Sequence, residues 1–192
     1  MQLTFVVLYG SVRSERQGIK YARFLETQLR TRRHAVTLVD PLHYRLPLLD
    51  KMYKEYPAGE APAPLSELAE MIRAADGFLI VSGEYNHGIP PALKNMLDHF
   101  LEEWFWRPSA IACYSAGSFG GVRAAMQLRA TLAELGMPSI PSLQPMPKVQ
   151  DHFDDDGSPR DPAQIRRVSR FLDEFEWYAR ALKRAREQGV PY

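Results

Sequence analysis

Cysteine is almost absent from this chain of 192 residues, Cys113 being the single example. A lone thiol excludes an intrachain disulfide scaffold and a cysteine-based zinc site, and it is the usage expected in a reducing cytoplasm. Long apolar runs are missing too: none approaches the ~18 residues of a membrane span. The opening MQLTFVVLYG has neither the basic segment nor the cleavage site of a signal peptide, so a soluble, untargeted cytoplasmic protein is expected. Net charge is equally scarce, with 24 Lys and Arg against 23 Asp and Glu. That balance gives no global electrostatic case for a nucleic-acid or membrane partner, and function must lie in local clusters.

There is enough apolar material for a core. With 45% hydrophobic residues, a single domain over 1–192 would bury roughly 70% of the surface of the unfolded chain without staples. Gln2 to Tyr9 is β-branched and aromatic and stops at Gly10-Ser11, which reads as a buried strand. Ile19 to Thr31 repeats apolar residues at helical spacing, and Ala35 to Asp40 reads as a second strand. Five prolines between Pro41 and Pro64 predict a long loop. Leu65, Leu68, Ala69 and Ile72 form one helical face before the strand Gly77 to Ser82. Pro91 opens a helix expected to run to Trp104 with Phe100, Leu101 and Trp104 inward. A fourth strand (Ser109 to Ser115), a helix (Val122 to Leu135, stopped by Gly136) and a fifth strand (Ser139 to Leu143) follow. Asp161 and Pro162 open a last helix whose Ile165, Val168, Leu172, Phe175, Ala179 and Leu182 should face inward. Alternating strands and helices, with continuously apolar strands, predict a doubly wound α/β fold around a parallel sheet.

Ligands in such sheets bind beyond the carboxyl ends of the strands, and the loops there carry the unusual residues. The first, Gly10 to Gly18 (GSVRSERQG), offers two hydroxyls and two guanidinium groups at a helix N-terminus. Unpaired N–H groups and bidentate arginine suit an anion. The loop lacks Gly-Lys-Ser/Thr and G-x-G-x-x-G, which points to a phosphomonoester; the alternative is that Ser11 and Ser14 only cap the helix. The second, Ser82 to Pro91, places glycines, Tyr85, Asn86 and His87 where main-chain groups can meet the edge of a flat ring, although a lone loop histidine is more often surface decoration. The third, Ala116 to Gly121, resembles a nucleophile elbow around Ser118, with Asp151 and His152 as conceivable partners of a small serine hydrolase. That rival leaves the basic first loop unexplained, and side chains on consecutive residues diverge. The acidic run Asp154 to Asp156 fails the calcium-loop pattern, because His152 and Ala163 would fall at ligand positions. No metal site is expected. Cys113 reads as a small buried group and Trp104 to Trp106 as core packing, with a subunit contact as the alternative.

GSVRSERQG, EYNHGIPPALKNMLD and SAGSFGG, in this order from Gly10 to Gly121, resemble the NADPH-dependent FMN reductase family, flavodoxin-like enzymes that include azo and quinone reductases. The resemblance implies a five-stranded sheet in the order 2-1-3-4-5. It implies that Ser11, Arg13, Arg16, Gln17, Gly18 and Ile19 hold the FMN phosphate. Glu84, Tyr85, Asn86 and His87 would line the isoalloxazine, and Ser115, Gly117, Ser118 and Gly120 would flank the ribityl chain and ring. Two departures stand out. Many relatives end the first loop with asparagine where Arg16-Gln17-Gly18 stands here, and relatives usually carry proline where this chain has Gly83, which should loosen the second loop. Lys94 and Asn95 are expected to support that loop.

The implied activity is ping-pong: NADPH or NADH reduces the flavin and leaves, and a small acceptor such as a quinone, an azo compound or free flavin takes its place. Backbone N–H groups near Asn86, His87 and Gly88 would stabilise charge on the reduced ring, and no catalytic acid–base pair is required. A homodimer or homotetramer through the third and fourth helices is implied as well. The rival of another class is a flavodoxin-like electron carrier, which the near-zero net charge disfavours.

Overall fold

The computed structural model describes residues 1–192. Its strands are β1 (Thr4–Tyr9), β2 (Ala35–Val39), β3 (Gly77–Gly83), β4 (Ser109–Tyr114) and β5 (Ser139–Met146), and its helices α1 (Gly18–Thr31), α2 (Ala63–Ala74), α3 (Pro91–Asp98), α4 (Val122–Glu134) and α5 (Ala163–Glu187). All strand pairs are parallel, in the order β2-β1-β3-β4-β5. Because alternate strand residues point to opposite faces, Phe5, Val7 and Tyr9 join α1 and α5 in one core, while Val6 and Leu8 join α2, α3 and α4 in the other. Both faces of the central strands are covered, which is why those strands read as unbroken apolar runs.

Four expectations require correction. First, α3 stops at Asp98, and Glu102–Trp104 form only a 3-10 turn. The Glu103 carboxylate takes the Leu101 N–H at 3.2 Å, and the Trp104 indole donates to the Leu97 carbonyl at 3.1 Å, so side chains satisfy groups that further helix would have used. Trp104 and Phe100 are buried nonetheless, whereas Leu101 is half-buried. Second, β5 continues three residues beyond Leu143 to Met146. It is an edge strand, where Pro141 and Pro145 can lack an N–H without orphaning a central ladder. Third, Ile165 is 45% exposed, and Gln164 takes the inward place in the first turn of α5 with its amide 3.2 Å from His152 Nδ1. Phe171 joins Val168, Leu172, Phe175 and Ala179 inside, while Leu182 is half-buried.

Fourth, Asn95 supports a different loop from the one expected. Its side chain accepts the Leu49 N–H at 2.9 Å and donates to the Pro47 carbonyl at 2.8 Å, pinning the proline-rich excursion after β2. Lys94 pairs with Asp98 one turn along α3. That excursion contains a 3-10 turn at Tyr53–Glu55 and otherwise runs irregularly to α2. Elsewhere the predicted and observed limits of the strands agree closely.

Candidate functional site

β1, β3 and β4 all end at one edge, and their loops enclose a cleft of about 300 Å³ lined by Ser11, Arg13, Gln17, Tyr85, Tyr114 and Gln150 among others. Ser11 is buried there, shares a 2.6 Å hydrogen bond with the Tyr85 hydroxyl and accepts the Arg13 N–H at 3.4 Å. Arg13 lies exposed along the rim, free of ion pairs. Gln17 precedes α1 without capping it through its side chain, and the N–H groups of Gly18 and Ile19 find no acceptor in the protein. A helix N-terminus with free donors, beside a hydroxyl and an unpaired guanidinium, is a place for an anion.

Arg16 behaves differently from Arg13. It donates to the Ser11 carbonyl at 3.1 Å and to both oxygens of Asp40 at 2.5 Å, and its guanidinium carbon lies 5.3 Å from the centre of the Tyr9 ring. Burial alone would raise the Asp40 carboxyl, but the Arg16 guanidinium and the Leu42 N–H outweigh it and hold the group below its usual range. The same bond raises Arg16 above its ordinary value. Arg16 thus braces the first loop with its charge already matched, a role its position in the sequence did not reveal.

The second loop is a tight hairpin turn. Tyr85 and Gly88 exchange backbone hydrogen bonds of 3.1 and 2.9 Å, with Asn86 and His87 between them at φ of 49° and 66°. Positive φ at both central residues is the geometry of a type I′ turn. The exposed Asn86 and His87 therefore present their N–H groups without protein acceptors, and Gln127 of α4 holds the turn by donating to the His87 carbonyl at 2.9 Å. Gly83 does not loosen this loop, because it is the last residue of β3 and packs against the Tyr114 ring. Glu84 lines the cleft with its carboxylate already engaged, accepting the N–H groups of Arg123 and Ala124 at 3.0 and 3.2 Å. It caps α4 from outside, where the helix dipole favours a negative charge.

In the third loop the Ser115 hydroxyl donates to the Gly117 carbonyl and accepts the Gly120 N–H, both at 2.9 Å, closing the turn on itself. Gly121 has φ 79°, and a Cβ there would come within 2.6 Å of the Tyr114 carbonyl oxygen, so glycine is required. Gly117 and Ser118 are exposed at the tip, and Ser118 makes no hydrogen bond. With His152 Nδ1 turned to Gln164, no base activates Ser118, and the hydrolase reading loses its geometry. Cys113 is buried, which pushes its thiol up to about 12 and excludes it as a thiolate nucleophile.

Of the residues singled out from sequence, Ser11, Arg13, Arg16, Gln17, Glu84, Tyr85 and Ser115 line the cleft. Ile19 packs its side chain on the core, and Gly18, Gly88 and Gly120 act through their backbone. Tyr114 and Gln150 were not foreseen. Tyr114 reads only as the end of an apolar strand, and Gln150 arrives from beyond β5, where Val149 N–H bonds to the Ser115 carbonyl at 3.1 Å. The residues present fit FMN. The free donors of α1 suit its phosphate, and Gln150 Oε1, buried without a partner, suits a hydroxyl of its ribityl chain. A second, apolar cleft of about 360 Å³, lined by Val12, Pro41, Leu42, Leu46, Pro91 and Met96 among others, adjoins through the first loop.

The fold defines the class. The chain superimposes on a flavodoxin variant from Pseudomonas aeruginosa with TM-score 0.54 and 20% identity, covering 94% of this chain and 99% of that one. FerB, a flavoenzyme NAD(P)H:(acceptor) oxidoreductase of Paracoccus denitrificans, superimposes with TM-score 0.75 and 24% identity over 93% and 98% of the two chains. In sequence, a quinone reductase of Pseudomonas putida is 31% identical over 180 residues, 88% of this chain and 90% of the relative. An NAD(P)H-dependent FMN reductase of P. aeruginosa is 32% identical over 139 residues, 69% of this chain and 75% of the relative. The family model of NADPH-dependent FMN reductases matches residues 3–150, and the chain belongs to that family.

Proposed function

We propose that residues 1–192 act as one reductase domain that holds FMN with its phosphate at the N-terminus of α1, takes reducing equivalents from NADPH or NADH, and passes them to a small acceptor of the quinone class. The observation that carries this is the convergence of two unpaired N–H groups, Gly18 and Ile19, with Ser11 and the unmatched charge of Arg13 in one cleft. Bound FMN supplies the two-electron chemistry. The protein binds and orients: Ser11 and Arg13 grip the phosphate, Gln150 accepts from the ribityl chain, and the Tyr85–Gly88 turn offers the free N–H groups of Asn86 and His87 to the ring edge. A quinone as acceptor is supported by the quinone reductase of P. putida among its relatives.

The test is a visible spectrum of the purified protein after FMN addition and gel filtration, followed by anaerobic addition of NADPH or NADH and then a quinone. Flavin should co-elute, bleach with the nicotinamide and recover with the quinone, and steady-state lines should be parallel. Co-elution without bleaching would support the electron carrier instead, and intersecting lines would contradict the ping-pong order.

The assembly we propose is a homodimer or homotetramer through α3 and α4. Exposed Met126 on α4 and Phe119 before it support this reading. Trp104 cannot contribute, being buried in its own core, so Trp106 is the available tryptophan of that cluster. Light scattering that finds a monomer would reject the assembly. A cytoplasmic location is proposed on the free Cys113 thiol, and no helix is long and apolar enough to cross a membrane.

A further inference from the structure

Tyr114 closes the floor of the cleft in an unusual way. Its ring is wedged between two glycines: a Cβ on Gly18 would lie 2.0 Å from its Cζ and 2.4 Å from its hydroxyl oxygen, and a Cβ on Gly83 would lie 3.1 Å away. A side chain at position 18 would require this ring to move. The phenol oxygen consequently occupies, at the first turn of α1, the space that a side chain at position 18 would fill. The residue is buried yet lines the cleft.

Its hydroxyl belongs to a group of four. Tyr114 donates to Tyr9 at 3.2 Å, and Ser11 and Tyr85 share their 2.6 Å bond in the same cleft. Those two bonds engage two of the four hydroxyl protons, the Tyr114 proton among them, and a Tyr114 hydroxyl that turns from the Tyr9 oxygen can donate it to an acceptor arriving in the cleft. Burial raises both Tyr9 and Tyr114 above the ordinary phenol value, which keeps them protonated and able to donate. Arg16, the second guanidinium lining the cleft beside Arg13, is committed to Asp40. The donors facing an anion at the start of α1 are therefore hydroxyls, not a second guanidinium.

We propose that the Tyr114 hydroxyl is a direct ligand of the cofactor phosphate and that Gly18 and Tyr114 form an exclusive pair, the strand tyrosine supplying from β4 the donor that a side chain at position 18 would supply from α1. This rests on the FMN reading above and adds a phosphate-binding residue to it. A hydrogen bond to an ionised group sets the expected size, about ten- to hundredfold in affinity.

The experiment compares FMN with riboflavin, which lacks the phosphate, by flavin fluorescence quenching on the full-length wild type, Tyr114→Phe, Gly18→Asn and the double variant Gly18→Asn/Tyr114→Ala. Tyr114→Phe keeps the ring and its packing. It should weaken FMN about ten- to hundredfold while riboflavin changes less than twofold, so the preference for FMN collapses. Gly18→Asn alone should lose FMN binding through the clash, and removing the ring in the double variant should restore a preference for FMN. An unchanged preference in Tyr114→Phe would overturn the proposal, as would a parallel loss of FMN and riboflavin, which would make the phenol a packing group only. A wild type with no preference for FMN would instead overturn the FMN-phosphate reading on which the proposal stands.

Discussion

The two ends of the sheet use polar groups in opposite ways. At the amino end the charges gather in matched groups. Asp76, just before β3, accepts the Thr4 N–H at 3.0 Å and pairs with Lys183 at 2.9 Å and Arg186 at 3.1 Å, tying the end of α5 to the sheet. Arg107 donates to the carbonyls of Arg73, Ala75, Glu103 and Phe105, and Glu176 gathers Arg32, Arg180 and His34. At the carboxyl end, the N–H groups of Gly18, Ile19, Asn86 and His87, one side-chain oxygen of Gln150 and the charge of Arg13 all remain unspent. The same alternation of strands and helices builds both ends. What marks the site is that free donors, an unpaired acceptor and an unpaired charge converge on one cleft, whereas elsewhere the two partnerless buried nitrogens, His34 Nε2 and His99 Nδ1, stand singly.

Breaking the matched end should damage stability and spare binding. Asp76→Ala leaves Lys183 and Arg186 facing each other at the foot of α5 with no carboxylate between them. A loss of about 3–5 kcal/mol is expected from urea unfolding, with the FMN affinity of the folded fraction within twofold of wild type. An equal fall in affinity would dissolve the distinction between the ends.

Asp40 sharpens the comparison, because the Arg16–Asp40 pair is a matched group placed inside the unmatched end. Asp40→Asn should cost about 2–3 kcal/mol, the carboxylate being largely buried against its partner. The pH dependence follows from the direction of its shift. Its folded value lies below the unfolded one, so the stabilisation is fully present above the ordinary carboxylate range and fades as pH falls through the folded value. Stability measured from pH 7 downward should therefore decline less steeply in Asp40→Asn than in the wild type below about pH 4. Identical acid limbs would show that the pair adds nothing.

Ser115→Ala should have the smallest effect. It removes the acceptor of the Gly120 N–H and the bond to the Gly117 carbonyl, for about 1 kcal/mol in thermal or urea unfolding. The third loop should also become more susceptible to limited proteolysis. A stable, protected loop would mean that Gly120 and Gly121 hold the turn without the hydroxyl.

The sequence made the architecture legible because both signals it depends on are local. The period of apolar residues separates strand from helix, and glycines and prolines mark where each stops. The loops were legible for the same reason: Ser11, Arg13, Gln17 and Tyr85 sit at the ends of strands that could be read directly. The features that escaped depend on partners distant in the chain. The resemblance makes Arg16 a phosphate ligand, and its charge is already met by Asp40, 24 residues on. Glu84, which the resemblance places along the ring, has its carboxylate capping a helix 39 residues later. The end of α3 was set by two side chains beyond it, Glu103 and Trp104, and the role of Tyr114 emerges only where Gly18 and Gly83 leave room for its ring. Composition and period carry no record of such meetings.

The central claim is that the opening of α1 is an unspent phosphate site, and a crystal structure of the protein grown with FMN tests it most directly. The account predicts a phosphate within hydrogen-bonding distance of the Gly18 and Ile19 N–H groups and the Ser11 hydroxyl, with Arg16 still bound to Asp40. A flavin whose phosphate lies elsewhere, leaving those N–H groups to water, would contradict it.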